Sequence, residues 1–96
     1  MMALIMYDIS TADAAGRRRL RSVAKKCADW GVAVQNSVYE CQMNNDQFLR
    51  FKAELESLIQ AETDSIRFYN LGNSYQNRIT RIGKERTTWD RETFIL

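Results

Sequence analysis

The apolar run Met-Ala-Leu-Ile-Met-Tyr-Asp-Ile, at residues 2–9, is the part of this sequence that decides the fold. It is too short to span a bilayer and rich in strand-forming residues, so it predicts a central β-strand. Alternation puts Leu4, Met6 and Asp8 on one side of this strand and Ile5, Tyr7 and Ile9 on the other. Both sides are too apolar for open water, so both faces of the sheet need a cover.

Asp8 is the first candidate functional residue. We expect its carboxylate to be buried or half-buried at the strand end, where a charge is costly unless it is paired, hydrogen-bonded or bound to a cation. A block of arginines follows from Arg17 onward. Two interpretations stay open: Asp8 belongs to a metal or phosphate site, or it only caps the turn or helix that comes next.

Composition sets limits on the class of protein. The chain has 96 residues, 45% of them hydrophobic and 27% charged, which predicts one globular domain over residues 1–96 with a modest core. The Met-Met start has no signal-peptide features and no segment is long enough to cross a membrane, so we expect a cytoplasmic protein. Cys27 and Cys41 lack a metal-binding spacing and are predicted to be buried thiols in a reducing compartment.

The sequence contains no histidine. This excludes His-based acid–base catalysis, Ser–His and Cys–His nucleophilic pairs, and nearly all zinc hydrolase sites. Any catalysis must therefore use carboxylates with a hard cation, or Tyr, Lys, Ser and Cys without a His partner.

Charge is distributed unevenly although the net charge is only +2. Residues 13–30 and 78–91 are basic, and residues 44–64 are acidic. Arginine binds phosphate bidentately, and several arginines in the first turns of a helix oppose the helix dipole. This favours either an anionic partner or a solvated basic face. The candidate nucleic-acid-binding residues are Arg17, Arg18, Arg19 and Arg21, with Lys25, Lys26 and Arg78 as weaker ones.

Periodicity and turn signals predict the elements. They are a strand at 2–9, a helix at about 14–30 ended by Gly31, a strand at 32–41, a helix capped by Asn44 with Gln47, a strand at 65–71, a short strand at 79–83 and an edge strand at the C-terminus. This order predicts an α+β, ferredoxin-like β-α-β-β-α-β fold, with an antiparallel sheet and both helices on one face. The uncovered apolar face predicts a homodimer.

Some ferredoxin-like domains bind RNA by stacking bases on strand aromatics. Tyr39, Phe68 and Tyr69 are strand aromatics here, but the Gly-Phe-Gly-Phe signature is missing. Packing in the core or in a dimer is the favoured role for these rings. A ferredoxin-like RNA-binding module without catalysis remains the alternative function.

Several segments in register carry a resemblance to a known family. They are Tyr7-Asp8-Ile9, the arginine block 17–21, Trp30-Gly31 before residues 34–40 (Val-Gln-Asn-Ser-Val-Tyr-Glu), residues 64–71 (Asp-Ser-Ile-Arg-Phe-Tyr-Asn-Leu) and Ile82-Gly83. Together they resemble the small CRISPR-associated adaptation proteins, the homodimeric partners of the CRISPR integrase. The similarity spans nearly the whole chain.

The resemblance implies two functions. One is a homodimeric adaptor that binds double-stranded DNA and bridges integrase subunits during spacer acquisition. The other is a metal-dependent endonuclease acting on RNA or double-stranded DNA. For the second function, the resemblance implies Asp8 as the catalytic residue and as the ligand of Mg²⁺ or Mn²⁺ at the dimer interface.

The C-terminal segment 84–96 is predicted to contact a partner. It contains Trp89 and ends in Thr-Phe-Ile-Leu, which is too apolar for a free tail. We expect it to cross to the second subunit and to form part of the surface that the integrase binds; the alternative is that it completes its own sheet. The candidate interface residues are Tyr7, Phe94, Ile95 and Leu96.

Overall fold

A computed structural model describes residues 1–84 of the chain. Its elements are β1 (Met2–Asp8), α1 (Ala14–Trp30), β2 (Val32–Gln35), β3 (Val38–Gln42), α2 (Asn45–Leu58), β4 (Ser65–Gly72) and a short 3₁₀ helix (Tyr75–Arg78). The predictions for Trp89, Phe94, Ile95 and Leu96 lie outside the described residues. None of the helices within residues 1–84 is long and apolar enough to cross a membrane.

The four strands form one antiparallel sheet in the order β2-β3-β1-β4. The strand predicted to be central, β1, lies between β3 and β4: Ile5 is paired with Tyr39 on one side and with Phe68 on the other. This confirms the ferredoxin-like β-α-β-β-α-β fold.

The core lies between the sheet and the two helices, which pack on the same face. One cluster joins Ile5 from β1, Val23 and Cys27 from α1, and Phe51 and Leu55 from α2, all with no exposed surface. The predicted alternation along β1 is confirmed, and it is the side with Ile5, Tyr7 and Ile9 that faces the helices. The other face of the sheet has no α-helix on it among the described residues.

The prediction of a single strand at residues 32–41 is wrong, because a hairpin occupies this segment. β2 ends at Gln35 and β3 starts at Val38, with a tight turn between them. Ser37 has a φ of 65°, a left-handed conformation that few residues other than glycine adopt. The turn also contacts β1, because the Tyr7 N–H donates to the Ser37 carbonyl oxygen at 3.1 Å. Because the hairpin contributes two strands where one was predicted, the sheet reaches four strands without the strand predicted at residues 79–83.

The prediction of a strand at residues 79–83 is also wrong. The chain leaves β4 through Gly72, at a φ of 76°, and forms the 3₁₀ helix, after which residues 79–84 belong to no strand. The Tyr75 hydroxyl accepts a hydrogen bond from the Gln42 side chain. Gln42 follows the buried Cys41 and lies on the sheet face opposite the two α-helices, so the 3₁₀ helix covers one end of that face.

Two helix boundaries that the sequence predicted are confirmed: the start of α2 after Asn44 and the end of α1 before Gly31. At α2, the Gln47 N–H donates to Asn44 Oδ1 at 2.8 Å and the Asn44 N–H donates to Gln47 Oε1 at 2.9 Å, a complete capping box. At the end of α1 the Gly31 N–H donates to the Cys27 carbonyl at 2.9 Å. Gly31 is extended rather than left-handed, and glycine is needed there because a Cβ would overlap Cys41 and the Glu40 carbonyl.

Candidate nucleic-acid interface and carboxylate sites

Four bases of α1 lie along one exposed side of the helix. Successive residues of an α-helix are rotated by about 100° around its axis, and on this basis the four bases lie within an arc of about 100° that faces away from the core. These residues, the basic stripe below, are Arg17, Arg18, Arg21 and Lys25, and all four are exposed. Neither of the two ion pairs found within residues 1–84 involves them. The stripe is therefore a concentrated positive surface whose four side chains form no salt bridge within residues 1–84, and Asp29 lies about one turn after Lys25 on the same side of α1.

Arg19 and Lys26 are set apart from this stripe. Arg19 lies about 100° beyond its edge, at the border of the buried side of α1, and its guanidinium contacts Asp64. Lys26 forms an ion pair with Glu54 of α2 at 3.3 Å, which connects the basic helix to the acidic one. Of the predicted nucleic-acid-binding residues on α1, these two already have partners inside the protein.

Asp64 is the buried carboxylate that sequence analysis did not single out. Its side chain has no exposed surface and accepts from Arg19 Nε at 2.8 Å, from the N–H groups of Ser10 and Gln60 at 3.0 Å each, and from Thr63 Oγ1 at 3.1 Å. The Arg19 guanidinium, together with these donors, holds the pKa of Asp64 well below its usual range. The pKa of Arg19 is raised by the same contact.

Asp8 is not buried, contrary to the expectation from the sequence. It is exposed at the end of β1, opposite Ser65 of β4, on the sheet face without helices. The physical reason is that β1 is the central strand but only one of its faces is covered. A carboxylate at this position keeps its hydration and needs no internal partner.

The sheet face opposite the helices, called the open face below, carries an apolar patch. Met6 lies between Val38 and Arg67, and Leu4 lies between Glu40 and Tyr69. Met6, Val32 and Tyr69 are exposed by 38%, 45% and 40%, respectively. Arg67 Nη1 donates to the Tyr69 hydroxyl at 3.1 Å. Among the described strand residues of this face, the charged side chains are Asp8, Glu40 and Arg67.

Among residues 1–84, the two remaining predicted site residues, Tyr7 and Arg78, lie apart from one another. Tyr7, a candidate interface residue, lies on the helix side of the sheet, where its ring stacks on Tyr39 at 6.2 Å between centroids. Burial raises the pKa of Tyr7. Arg78 is exposed in the 3₁₀ helix, on a different element from the basic stripe.

Two of the three strand aromatics are unavailable for base stacking. Phe68 packs edge-on against Phe48 and Phe51 in the core, and Tyr39 lies against Tyr7. Only Tyr69 of these rings is on the open face. This confirms core packing as the role of Phe68 and removes the aromatic platform that RNA-recognition modules use.

The two cysteines are buried thiols, as predicted. Neither Cys27 nor Cys41 has exposed surface, and both are free. Burial raises the pKa of each thiol to about 12, so the reactive thiolate is suppressed at neutral pH.

The described residues provide few ligands for a cation. Within residues 1–84 no group of three Cys, Asp or Glu side chains is close enough to hold a metal ion. Mg²⁺ takes oxygen ligands and retains several waters, so one Asp8 carboxylate is a weak site. Two Asp8 side chains, one from each of two copies, would fit a hydrated Mg²⁺ better.

Comparisons with known proteins agree on one family. The family model described as CRISPR associated protein Cas2 matches residues 1–79. The "CRISPR-associated endonuclease Cas2" of Halalkalibacterium halodurans is 48% identical over 83 residues, which is 86% of each chain. The "CRISPR-associated endoribonuclease Cas2 3" of Rhodospirillum rubrum is 45% identical over 82 residues, 85% of this chain and 86% of the relative.

The comparison with solved structures indicates the same family. The crystal structure of Streptococcus pyogenes Cas2 at pH 6.5 is 49% identical in sequence, with a TM-score of 0.74. The match covers 86% of this chain and 100% of that one. The chain thus belongs to the Cas2 family of CRISPR-associated proteins.

Proposed function

We propose that this chain is a DNA-binding adaptor of CRISPR adaptation, which dimerises through the open face and bridges integrase subunits while they take up new spacers. The basic stripe is the observation that carries the proposal. Four exposed bases that form no ion pair among the described residues are the kind of surface that binds the phosphates of a duplex. The stripe and the open face are on opposite sides of the molecule, so a dimer leaves both stripes exposed.

The proposal predicts binding that depends on charge and not on base sequence. Phosphate contacts release counterions, so log affinity falls linearly with log salt, and each phosphate contact adds about 0.9 to the steepness of that fall. Duplex DNA of arbitrary sequence should therefore bind with a steep salt dependence, and Arg21→Ala should reduce the slope by about one unit.

The experiment is a titration of the full chain with a fluorescent duplex at several salt concentrations. Arg50→Ala is the matched control, because Arg50 is an exposed arginine of α2 outside the stripe. Equal slopes for wild type, Arg21→Ala and Arg50→Ala would contradict the proposal and leave the stripe as a solvated face.

The relatives' names favour a second function, a metal-dependent endonuclease. The two relatives described above have nuclease names, and one of them is called an endoribonuclease. In this function Asp8 from two copies would hold Mg²⁺ or Mn²⁺, which would supply stabilisation of the phosphoryl charge and an activated water. The chain's own contribution is the exposed Asp8 on the open face, where a second copy brings its own Asp8 alongside.

This function is tested with single-stranded RNA and duplex DNA in the presence of Mg²⁺, Mn²⁺ or a chelator. Asp8→Asn should abolish cleavage while the dimer persists, and Asp46→Asn, an exposed carboxylate of α2, should leave cleavage unchanged. Cleavage that survives Asp8→Asn would exclude this site. Integrase-dependent spacer acquisition by Asp8→Asn would separate the adaptor from the nuclease.

A further inference from the structure

One carboxylate joins three segments at the end of the molecule that bears Asp8. Asp64 accepts from the N–H of Ser10, two residues beyond Asp8, at 3.0 Å. It accepts from Arg19 in α1 at 2.8 Å, and from Gln60 in the α2–β4 loop at 3.0 Å. The start of α1, the end of β1 and the α2–β4 loop are therefore fixed relative to one another by a single side chain.

The geometry of the pair is specific to arginine. Arg19 Nε is 2.8 Å from Asp64 Oδ2 and Nη2 is 3.5 Å from Oδ1, so the guanidinium faces both carboxylate oxygens. Such a fork restricts rotation as well as distance, which the point charge of lysine does not do. Only 15% of the Arg19 side chain is exposed, so little of it is open to a phosphate.

The pair constrains the direction of the basic stripe. Arg19 lies between Arg18 and Arg21 in sequence but on a different side of α1, so its contact with Asp64 restricts the rotation of the helix about its axis, in addition to the buried side of α1. Gly16 supports the same contact, because a Cβ there would overlap the Ser10 carbonyl oxygen and push α1 away from this loop.

We propose that Arg19 and Asp64 are positioning residues for the DNA-binding surface, and that Arg19, although central in the arginine block, makes no phosphate contact. Asp64 orients the stripe and the strand end that carries Asp8 through Arg19 and the Ser10 amide. This inference rests on the proposed function, since it concerns the same surface.

Substitution of Asp64 separates this role from simple electrostatics. Asp64→Asn removes a negative charge, so electrostatics alone predicts tighter DNA binding. Positioning predicts the opposite: about 5–10-fold weaker binding, corresponding to about 1–1.4 kcal/mol, with an unchanged salt slope. Arg19→Gln should weaken binding similarly, again without a change in slope, and the double variant should be no weaker than either single one.

The experiment is a duplex titration across salt with these variants and Arg21→Gln as the reference for a true phosphate contact. A slope that falls by about one unit in Arg19→Gln, or binding in Asp64→Asn as tight as in wild type, would overturn the proposal. If Arg21→Gln also leaves binding and slope unchanged, the proposed function fails instead.

A second measurement covers the case in which Asp64→Asn fails to fold. Arg19→Lys keeps the charge and one contact, so it should bind DNA with intermediate affinity and the wild-type slope. Amide hydrogen exchange of the full chain should show Ser10 and Gln60 protected in wild type and faster in Arg19→Lys, with no change at Asn44, whose cap lies elsewhere. Equal protection of Ser10 and Gln60 in both proteins would contradict the role of the pair.

Discussion

At the scale of single residues, the sequence indicated that Asp8 is the costly buried carboxylate, whereas within residues 1–84 the buried carboxylate is Asp64. Asp8 follows an apolar strand, which is a local signal for burial, but the strand is covered on one face only. The partner of Asp64 is 45 residues away in sequence, and its other donors are backbone groups of two loops. Hydrophobic periodicity in the sequence gives no information about such long-range contacts. The only local hint was the position of Asp64 directly before a strand.

Asp64 gives a prediction for acid stability. Its pKa is lowered in the folded protein, so its contribution to the free energy of unfolding is complete only from about one pH unit above the unfolded-state pKa of about 3.9. That contribution should be lost progressively as the pH falls below about 5, because Asp64 takes up a proton in the unfolded chain at a pH where it is still ionised in the folded protein. Urea unfolding of wild type between pH 7 and pH 3 should show this decline.

Asp64→Asn is the comparison for this decline. At pH 7 we expect it to be less stable by about 1–3 kcal/mol, because the donors around Asp64 lose their charged acceptor. The difference in the free energy of unfolding between wild type and Asp64→Asn should become smaller toward pH 3. A gap that stays constant with pH would show that the effect of Asp64 is steric and not electrostatic.

At the scale of elements, the helices were predictable and part of the sheet was not. Apolar spacing and caps located α1 and α2 to within a residue or two, because each helix buries one continuous stripe. The hairpin was missed because its turn has two residues, Asn36 and Ser37, between β-branched segments that read as one strand. The Asn36-Ser37 dipeptide was the available signal for a turn. The apolar spacing at 79–83 predicted a strand, but the left-handed Gly72 turns the chain into the 3₁₀ helix instead.

The capping box of α2 provides a test at this scale. Asn44→Ala removes the side-chain acceptor for the Gln47 N–H and should lower the free energy of unfolding by about 1 kcal/mol. Asn45→Ala, at the first residue of α2, is the matched control and should cost much less, since no cap bond of α2 involves its side chain. Urea denaturation of both variants measures the difference. An equal decrease in the free energy of unfolding in both variants would show that the Asn44 cap does not contribute to the stability of α2.

At the scale of the whole molecule, the number of helices determines what the sheet can do. Two helices on one face leave Leu4, Met6, Val38 and Tyr69 on the other, where the 3₁₀ helix covers only the end near Gln42. Sequence order alone indicated this asymmetry, because a β-α-β-β-α-β chain has no third helix to add. The position of the basic stripe on the far side follows from the same architecture.

The open face leads to the last prediction, which concerns the dimer. An apolar patch with charges of both signs, Asp8 and Glu40 beside Arg67, suits a second copy of the same face, because a two-fold axis can bring opposite charges together. Wild type should therefore have twice the monomer mass by light scattering at micromolar concentration. Met6→Asp places a charge in the centre of the patch and should give a monomer.

Leu49→Asp is the control for this experiment, because Leu49 is 56% exposed on α2, away from the open face, and its variant should remain dimeric. The Met6→Asp monomer retains one intact basic stripe, so it should still bind duplex DNA, but with a shallower salt dependence than the dimer, whose two stripes release more counterions. A Met6→Asp protein that stays dimeric would place the interface elsewhere. A monomer with the full wild-type slope would instead show that a single stripe makes all the phosphate contacts, and the dimer would then serve the bridging role alone.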